Sequence, residues 1–170
     1  KLMEYPEKRV YPEIDIEGGK VYFSHYDMVQ AQVILLAKDE SFNIELMPYA
    51  RVLNEYFGSG LSSIIFQEIR ESNGLAYSAF CSYSTPSKKE NSHYIRGYIG
   101  TQLDKLPEAL PVMVDLMREM PKAEMQFQSA KEAVLKQLET ERITKSLIYW
   151  TYKGNLDKGI DYDIRKDIYQ

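Results

Sequence analysis

Hydrophobic positions recur at two different spacings along this chain, and these spacings predict where strands and helices alternate. Residues 20–24 form a short strand-like segment, and residues 30–37 form a longer apolar run. Because both faces of the longer run are apolar except at Gln32, we expect that strand at the centre of a sheet. Helical spacing follows over residues 43–57 and again over residues 62–73.

The second half of the chain repeats this order. Residues 75–83 alternate, residues 85–92 have loop composition, and residues 93–101 predict a returning antiparallel strand. Helical spacing then covers residues 106–117 and 124–143, followed by a helical tail. Strands paired around hairpins, with helices in blocks, predict an α+β fold. We expect a two-layer sandwich of an antiparallel-rich sheet with helices packed on one face.

The chain length and its two ends predict one domain cut from a longer polypeptide. Residues 1–19 are rich in proline and charge and end in Gly18-Gly19, so we interpret them as a linker or lead-in. Residues 20–170 are enough for a single core. The chain lacks an initiator methionine and stops within a helical pattern, so we expect truncation at the C-terminus.

The composition of the chain argues against several classes of protein. The net charge of −4 argues against a dedicated nucleic-acid binder, which needs a basic face. The longest apolar run, residues 33–37, is too short for a membrane span. The single cysteine, Cys81, permits no internal disulfide and leaves the cellular compartment open.

The sequence contains no familiar motif for a complete active site. His25 and His93 stand 68 positions apart and belong to no His-x-x-Glu-His or His-Glu-x-x-His motif, so we expect both to be solvated surface residues. Gly58-Ser59-Gly60 lacks the lysine of a phosphate loop. Cys81 falls on the apolar face of a strand and is expected to be a small core residue.

Residues 60–78 carry the most chemical information. They predict a glycine that ends one helix, a short amphipathic helix, the end of that helix at Asn73-Gly74, and then the start of a strand. Arg70 and Tyr77 flank this corner, seven positions apart, and can direct a cation and a phenol at one carbonyl or carboxylate. A purely structural interpretation is also open, and the pattern alone favours it. A cation in a helix's last turn gains roughly 0.3–1 kcal/mol from the dipole, and a strand tyrosine can simply pack.

The sequence around this corner resembles a known family. The stretch LNEYFGSGLSS at residues 53–63, FQEIRE at 66–71 and GLAYS at 74–78 are similar to the C-terminal, non-zinc domain of the pitrilysin/insulinase (inverted-zincin) zinc peptidases, which include the mitochondrial processing peptidases. A weaker similarity extends over residues 29–143. Ile64 and Ser72-Asn73 depart from more basic residues in the family pattern.

The resemblance implies a divided active site. A homologous domain, in the same polypeptide or in a partner subunit, would carry His-x-x-Glu-His, zinc and the general base. This chain would contribute Arg70 and Tyr77, which contact the substrate backbone and the developing oxyanion. Peptides are the implied substrates, and zinc is expected in the full-length protein but not in this chain. The family's final strand is missing from the pattern, which predicts an unpaired sheet edge.

Three hypotheses follow from the resemblance and the pattern together. The first is a substrate-binding, oxyanion-assisting domain of a zinc endopeptidase, inactive without its zinc-bearing partner domain. The second is a structural or scaffold domain of the same family with no catalytic role. The third is a peptide-binding module that adds an extended peptide to a sheet edge.

Overall fold

The computed structural model describes residues 9, 11–15 and 17–169, and it shows an α+β domain. The elements in chain order are β1 (Gln30–Ser41), α1 (Leu46–Leu53), a first π-helical segment (Asn54–Ser59), a second π-helical segment (Phe66–Ser72), β2 (Ser78–Ser84), β3 (Ser92–Gln102), α2 (Leu106–Arg118), α3 (Glu124–Thr140), α4 (Lys145–Leu156) and α5 (Arg165–Tyr169). Within the described residues, no helix is long and apolar enough to cross a bilayer.

The three strands form one antiparallel sheet in the order β1-β3-β2. One face of the sheet carries the core, since Cys81 and Ile99 are almost fully buried there. The α2 helix packs on this face over Gly97, where an added Cβ would lie 2.8 Å from both Met113 Cε and Met117 Sδ. The predicted fold class, an antiparallel sheet with packed helices, is confirmed.

The core unites both π-helical segments, the sheet and the helices α2 and α3. It consists of Tyr56, Phe57, Ile64, Ile65, Ile69, Leu75, Cys81, Ile99, Ala109, Met113 and Ala130. Each fully buried aliphatic side chain contributes roughly 1.5–3 kcal/mol through removal from water. The prediction that Cys81 is a core residue is confirmed, and burial raises the pKa of its thiol to about 11.

Two strand predictions are wrong. Residues 20–24 form no strand, and Val21 and Phe23 are 96% and 87% exposed. β1 lies at a sheet edge rather than at the centre, and its outward-facing Ile34 and Leu36 are 57% and 64% exposed. An apolar pattern on both faces of a strand shows that both faces are hydrophobic, but it does not show where the strand lies in the sheet. The central strand is β3.

The outer edge of β2 is covered by the first π-helical segment. The Asn54 side chain donates from Nδ2 to the carbonyl of Tyr83 at 3.0 Å and accepts from the Tyr83 N–H at 2.7 Å. Four residues further on, Gly58 lies so close to the carbonyl of Cys81 that an added Cβ would be 1.8 Å from its oxygen. Only glycine fits there. These contacts fix the segment on the strand that follows the Arg70–Tyr77 corner.

Candidate functional site

Arg70 projects from the exposed side of the second π-helical segment. Ser63 Oγ accepts from the Phe66 N–H at 3.4 Å near the start of this helix, and the fully buried Ile69 holds it on the core. The neighbouring Arg70 therefore points outward, with its side chain 48% exposed. Its guanidinium lies 4.8 Å from the centre of the Phe66 ring, and its Nε is 4.0 Å from Glu71 Oε1.

The helix ends in a glycine cap that turns the chain into β2. Gly74 adopts a φ of 56°, a left-handed conformation that glycine takes without strain. Its N–H donates to Arg70 O at 3.1 Å, and the Leu75 N–H donates to Ile69 O at 2.9 Å. These bonds resemble a Schellman cap, but each spans one residue more because the preceding turn is π-helical. The predicted Asn73-Gly74 stop is confirmed.

Tyr77 emerges from this corner directly before β2. It belongs to the alternating segment of residues 75–83, where a strand tyrosine could pack, but it is 58% exposed. Its N–H donates to Gly100 O at 3.0 Å, and its hydroxyl accepts from Gln102 Nε2 at 3.2 Å. Tyr77 is therefore attached at its backbone and at its hydroxyl to the end of β3.

A small cavity of about 150 Å³ lies beside Tyr77. Residues 74–77 line one side, and Thr101, Gln102 and Lys105 line the other. Thr101 Oγ1 donates to Leu75 O, and Lys105 Nζ donates to Gly74 O at 2.8 Å. Side chains from β3 and from the residue before α2 therefore bind the backbone of the corner. The cavity thus combines a phenol hydroxyl, an amide and a cation.

Arg70 and Tyr77 lie on opposite sides of the Asn73-Gly74 turn. Arg70 does not line the cavity. Among the described residues, no hydrogen bond, ion pair or ring contact joins the two side chains. Both side chains are exposed, so each can contact a third molecule.

A larger open depression of about 630 Å³ lies at the far end of β1. It is lined by residues 40–44 and 158–160, where Glu40 and Lys158 are the charged groups. Gln30, at the opposite end of β1, is paired with Gln102 beside Tyr77, so the two cavities stand at opposite ends of the sheet. Because Tyr77 lines the smaller cavity and not this depression, we place the candidate site at the smaller cavity.

The histidines do not form a metal site. His93 is fully buried, contrary to the prediction that it is solvated. Its ring stacks on Phe42 at 5.9 Å and on Tyr83 at 5.2 Å, and its Nε2 accepts from the Asn43 N–H at 3.0 Å. His93 lies on the central strand β3, where these aromatic side chains cover its ring. His25 is exposed, as predicted.

Zinc does not fit the described part of this chain. There, no three His, Cys, Asp or Glu side chains are close enough together to hold a metal ion. The buried Cys81 thiol, with a pKa of about 11, is also a poor source of thiolate.

Comparison with known proteins identifies the family. The chain belongs to the family described as the peptidase M16 inactive domain, which it matches over residues 4–140. It is 34% identical over 84 residues to an uncharacterized zinc protease, YmxG, of Bacillus subtilis (strain 168), covering 48% of this chain and 20% of that protein. It is 39% identical over 101 residues to an uncharacterized zinc protease of Rickettsia bellii (strain RML369-C), covering 59% and 24%.

Solved structures agree on the fold. A peptidase M16 inactive domain from Pseudomonas fluorescens superposes with a TM-score of 0.63 at 13% identity, covering 82% of this chain and 33% of that one. A protease from Helicobacter pylori gives a TM-score of 0.63 at 13% identity, covering 84% and 37%. The resemblance to the non-zinc domain of a zinc peptidase family is therefore confirmed. The chain spans only about a fifth to a quarter of the curated relatives' length.

Sequence reasoning missed Gln102 and Lys105 as members of the site. Gln102 is the last residue of β3 and Lys105 directly precedes α2. Both lie 25 or more positions after Tyr77, and no local motif connects them to the corner. They could have been found only from the strand register, which pairs Ser78 with Gly100. That register places the end of β3 beside Tyr77.

Proposed function

We propose that this chain is the substrate-binding, oxyanion-assisting domain of a zinc-dependent endopeptidase. A homologous domain, in the same polypeptide or in a partner subunit, supplies the zinc and the general base. Arg70 and Tyr77 of this chain donate hydrogen bonds to the peptide substrate and to the carbonyl oxygen as it gains negative charge. Without the zinc-bearing domain, this chain does not hydrolyse peptides.

The observation that carries the proposal is the exposure of both donors at one glycine-capped corner. If Tyr77 were only a packing residue, its ring would join the face that buries Cys81, but it is 58% exposed. The Arg70 guanidinium contacts only the nearby Phe66 and Glu71 through its described contacts, and it is not neutralised by a buried carboxylate. Both groups are therefore available to a ligand.

Replacement of Arg70 by alanine in the complete peptidase, assayed on an internally quenched peptide, tests this function. Loss of one oxyanion donor typically lowers kcat by about 10²–10³-fold, and we expect a loss of that size. The free energy of unfolding should change by less than about 1 kcal/mol, since the side chain is exposed.

Arg118→Ala is the matched control. Arg118 is also an exposed arginine in the last turn of a helix, α2, so its removal reproduces the lost dipole interaction without touching the corner. We expect Arg118→Ala to keep at least half of the wild-type turnover. If Arg70→Ala also keeps it, the catalytic proposal is wrong and the scaffold hypothesis is favoured.

Arg70→Lys separates charge from geometry. Lysine retains the positive charge but lacks the planar fork of five N–H donors. A turnover between those of wild type and Arg70→Ala would indicate that both the charge and the fork contribute. Wild-type turnover in Arg70→Lys would show that charge alone suffices.

A further inference from the structure

The Tyr77 hydroxyl is already engaged on one side by the protein. Gln102 Nε2 donates to it at 3.2 Å, so the phenol oxygen acts as an acceptor in this contact. A phenol has one proton to donate, and an acceptor bond from an amide leaves that proton unused. The protein therefore occupies a lone pair of the oxygen and leaves the O–H bond free.

Tyr77 is also attached to β3 at two points. Its N–H donates to Gly100 O at 3.0 Å, and its hydroxyl meets the side chain of Gln102, two residues further along the same strand. One attachment is to the backbone and the other is to a side chain, and both are made by the last three residues of β3. The cavity of about 150 Å³ opens beside the ring and is lined by Tyr77 and Gln102 together.

We propose that Gln102 is a positioning residue for Tyr77. Its side-chain amide fixes the phenol ring beside the cavity and directs the hydroxyl proton toward the substrate carbonyl oxygen. An amide that donates to the phenol oxygen also polarises the O–H bond, which strengthens the bond that the phenol donates in turn. This role rests on the proposed function of Tyr77 but assigns a residue that lies outside the family-like motif.

Two substitutions of Gln102 distinguish positioning from bulk. Gln102→Met keeps a similar length but donates no hydrogen bond. Gln102→Glu offers only acceptors when ionised, so it attracts the Tyr77 proton away from the substrate. In the complete peptidase we expect Gln102→Met to lower kcat roughly three- to tenfold, the range of a neutral hydrogen bond, with KM changed less than about twofold. Gln102→Glu should lower kcat further.

A double-mutant cycle with Tyr77→Phe gives the decisive comparison. Tyr77→Phe alone should lower kcat by about 10²-fold, as for other lost oxyanion donors. In the Tyr77→Phe background, Gln102→Met should cause no further loss, because the partner hydroxyl is gone. An equal loss in both backgrounds, or no loss from Gln102→Met in the Tyr77 background, would overturn the positioning role. An unchanged kcat in Tyr77→Phe would instead overturn the proposed function of Tyr77.

The contact itself can be tested in the 170-residue chain without any activity. The side-chain amide resonances of Gln102 in a ¹H–¹⁵N NMR spectrum are assigned by their loss in Gln102→Met. We expect Tyr77→Phe, which removes only the hydroxyl, to shift these resonances. The side-chain amide of Gln128, which donates to Glu124 at 2.7 Å on α3, should stay unchanged as an internal reference. Unshifted Gln102 resonances would overturn the inference whatever the kinetics show.

Discussion

Replacing Gly58 with alanine tests whether close packing of the first π-helical segment on β2 stabilises the domain. The added Cβ would lie 1.8 Å from the carbonyl oxygen of Cys81 and 2.8 Å from its carbonyl carbon. Non-bonded heavy atoms rest at roughly 3.5 Å, so the strand or the helical segment must move by about 1.7 Å. Neither moves easily, because Asn54 fastens the segment to Tyr83 on the same strand.

The expected cost follows from this geometry. Extra methyl groups in well-packed cores typically cost about 1–3 kcal/mol, when flexible side chains can give way. Here the obstacle is strand backbone, so we expect a loss of about 3 kcal/mol or more in the free energy of unfolding. For a domain of this size, each kcal/mol lowers Tm by roughly 2–4 °C, which predicts a fall of about 6–12 °C.

Urea denaturation followed by circular dichroism measures this loss, with Gly154→Ala as the matched control. Gly154 lies within α4, and an added Cβ there has no heavy atom within 4 Å. Alanine favours a helix interior over glycine by about 0.5–1 kcal/mol, so the control should be slightly more stable than wild type. If Gly58→Ala unfolds within about 0.5 kcal/mol of wild type, the close approach to Cys81 does not constrain the fold.

Three further predictions concern the edge of β2, the segment before β1 and the core thiol. Asn54→Ala should lower the free energy of unfolding by about 1–3 kcal/mol, because it leaves the Tyr83 N–H and carbonyl without their partner; a urea midpoint equal to wild type would contradict this. The Ser92 N–H donates to the Glu13 carboxylate and lowers the pKa of Glu13 below its ordinary value. This attachment therefore contributes fully above the ordinary glutamate pKa of about 4.3 and is lost as the pH falls through the lower folded pKa. Ser92 amide exchange, corrected for its intrinsic pH dependence, should therefore accelerate in acid for wild type, and Glu13→Gln should remove that dependence. Burial raises the pKa of Cys81 to about 11, so a thiol reagent at pH 8 should label the native chain far more slowly than the urea-unfolded chain, and equal rates would refute its burial.

The helical parts of the fold were predictable because their apolar periodicity is local. Ala130 and Val134 lie on the predicted stripe of α3 and are buried, and the helix that ends at the Asn73-Gly74 stop needs only a short stretch of sequence to define it. The pattern could not show that this helix is π-helical, since the four-residue spacing of the buried Ile65 and Ile69 fits both an α-helix and a π-helix. The Arg70–Tyr77 corner was accessible from sequence because its elements are contiguous.

The pairing of the strands was less predictable, and so was the surrounding site. Ile34 and Leu36 gave β1 a two-faced apolar pattern, but that pattern contains no information on which strand pairs with which. His93 was expected in water because it belongs to no metal-binding motif, whereas stacking partners distant in sequence bury it. Gln102 joins Tyr77 for the same reason: the register of β3 against β2 brings it there.

The two edges of the sheet differ, and this difference limits how copies of the chain can assemble. On β2, Asn54 occupies the N–H and carbonyl of Tyr83 as a neighbouring strand would. On β1, the outer edge has no strand partner among residues 9, 11–15 and 17–169. Two copies joined through β1 about a twofold axis would form one continuous sheet that is closed by β2 at both ends. In such a pair both β1 edges would be used, and further edge-to-edge growth would have to proceed through β2, where Asn54 already occupies the N–H and carbonyl of Tyr83.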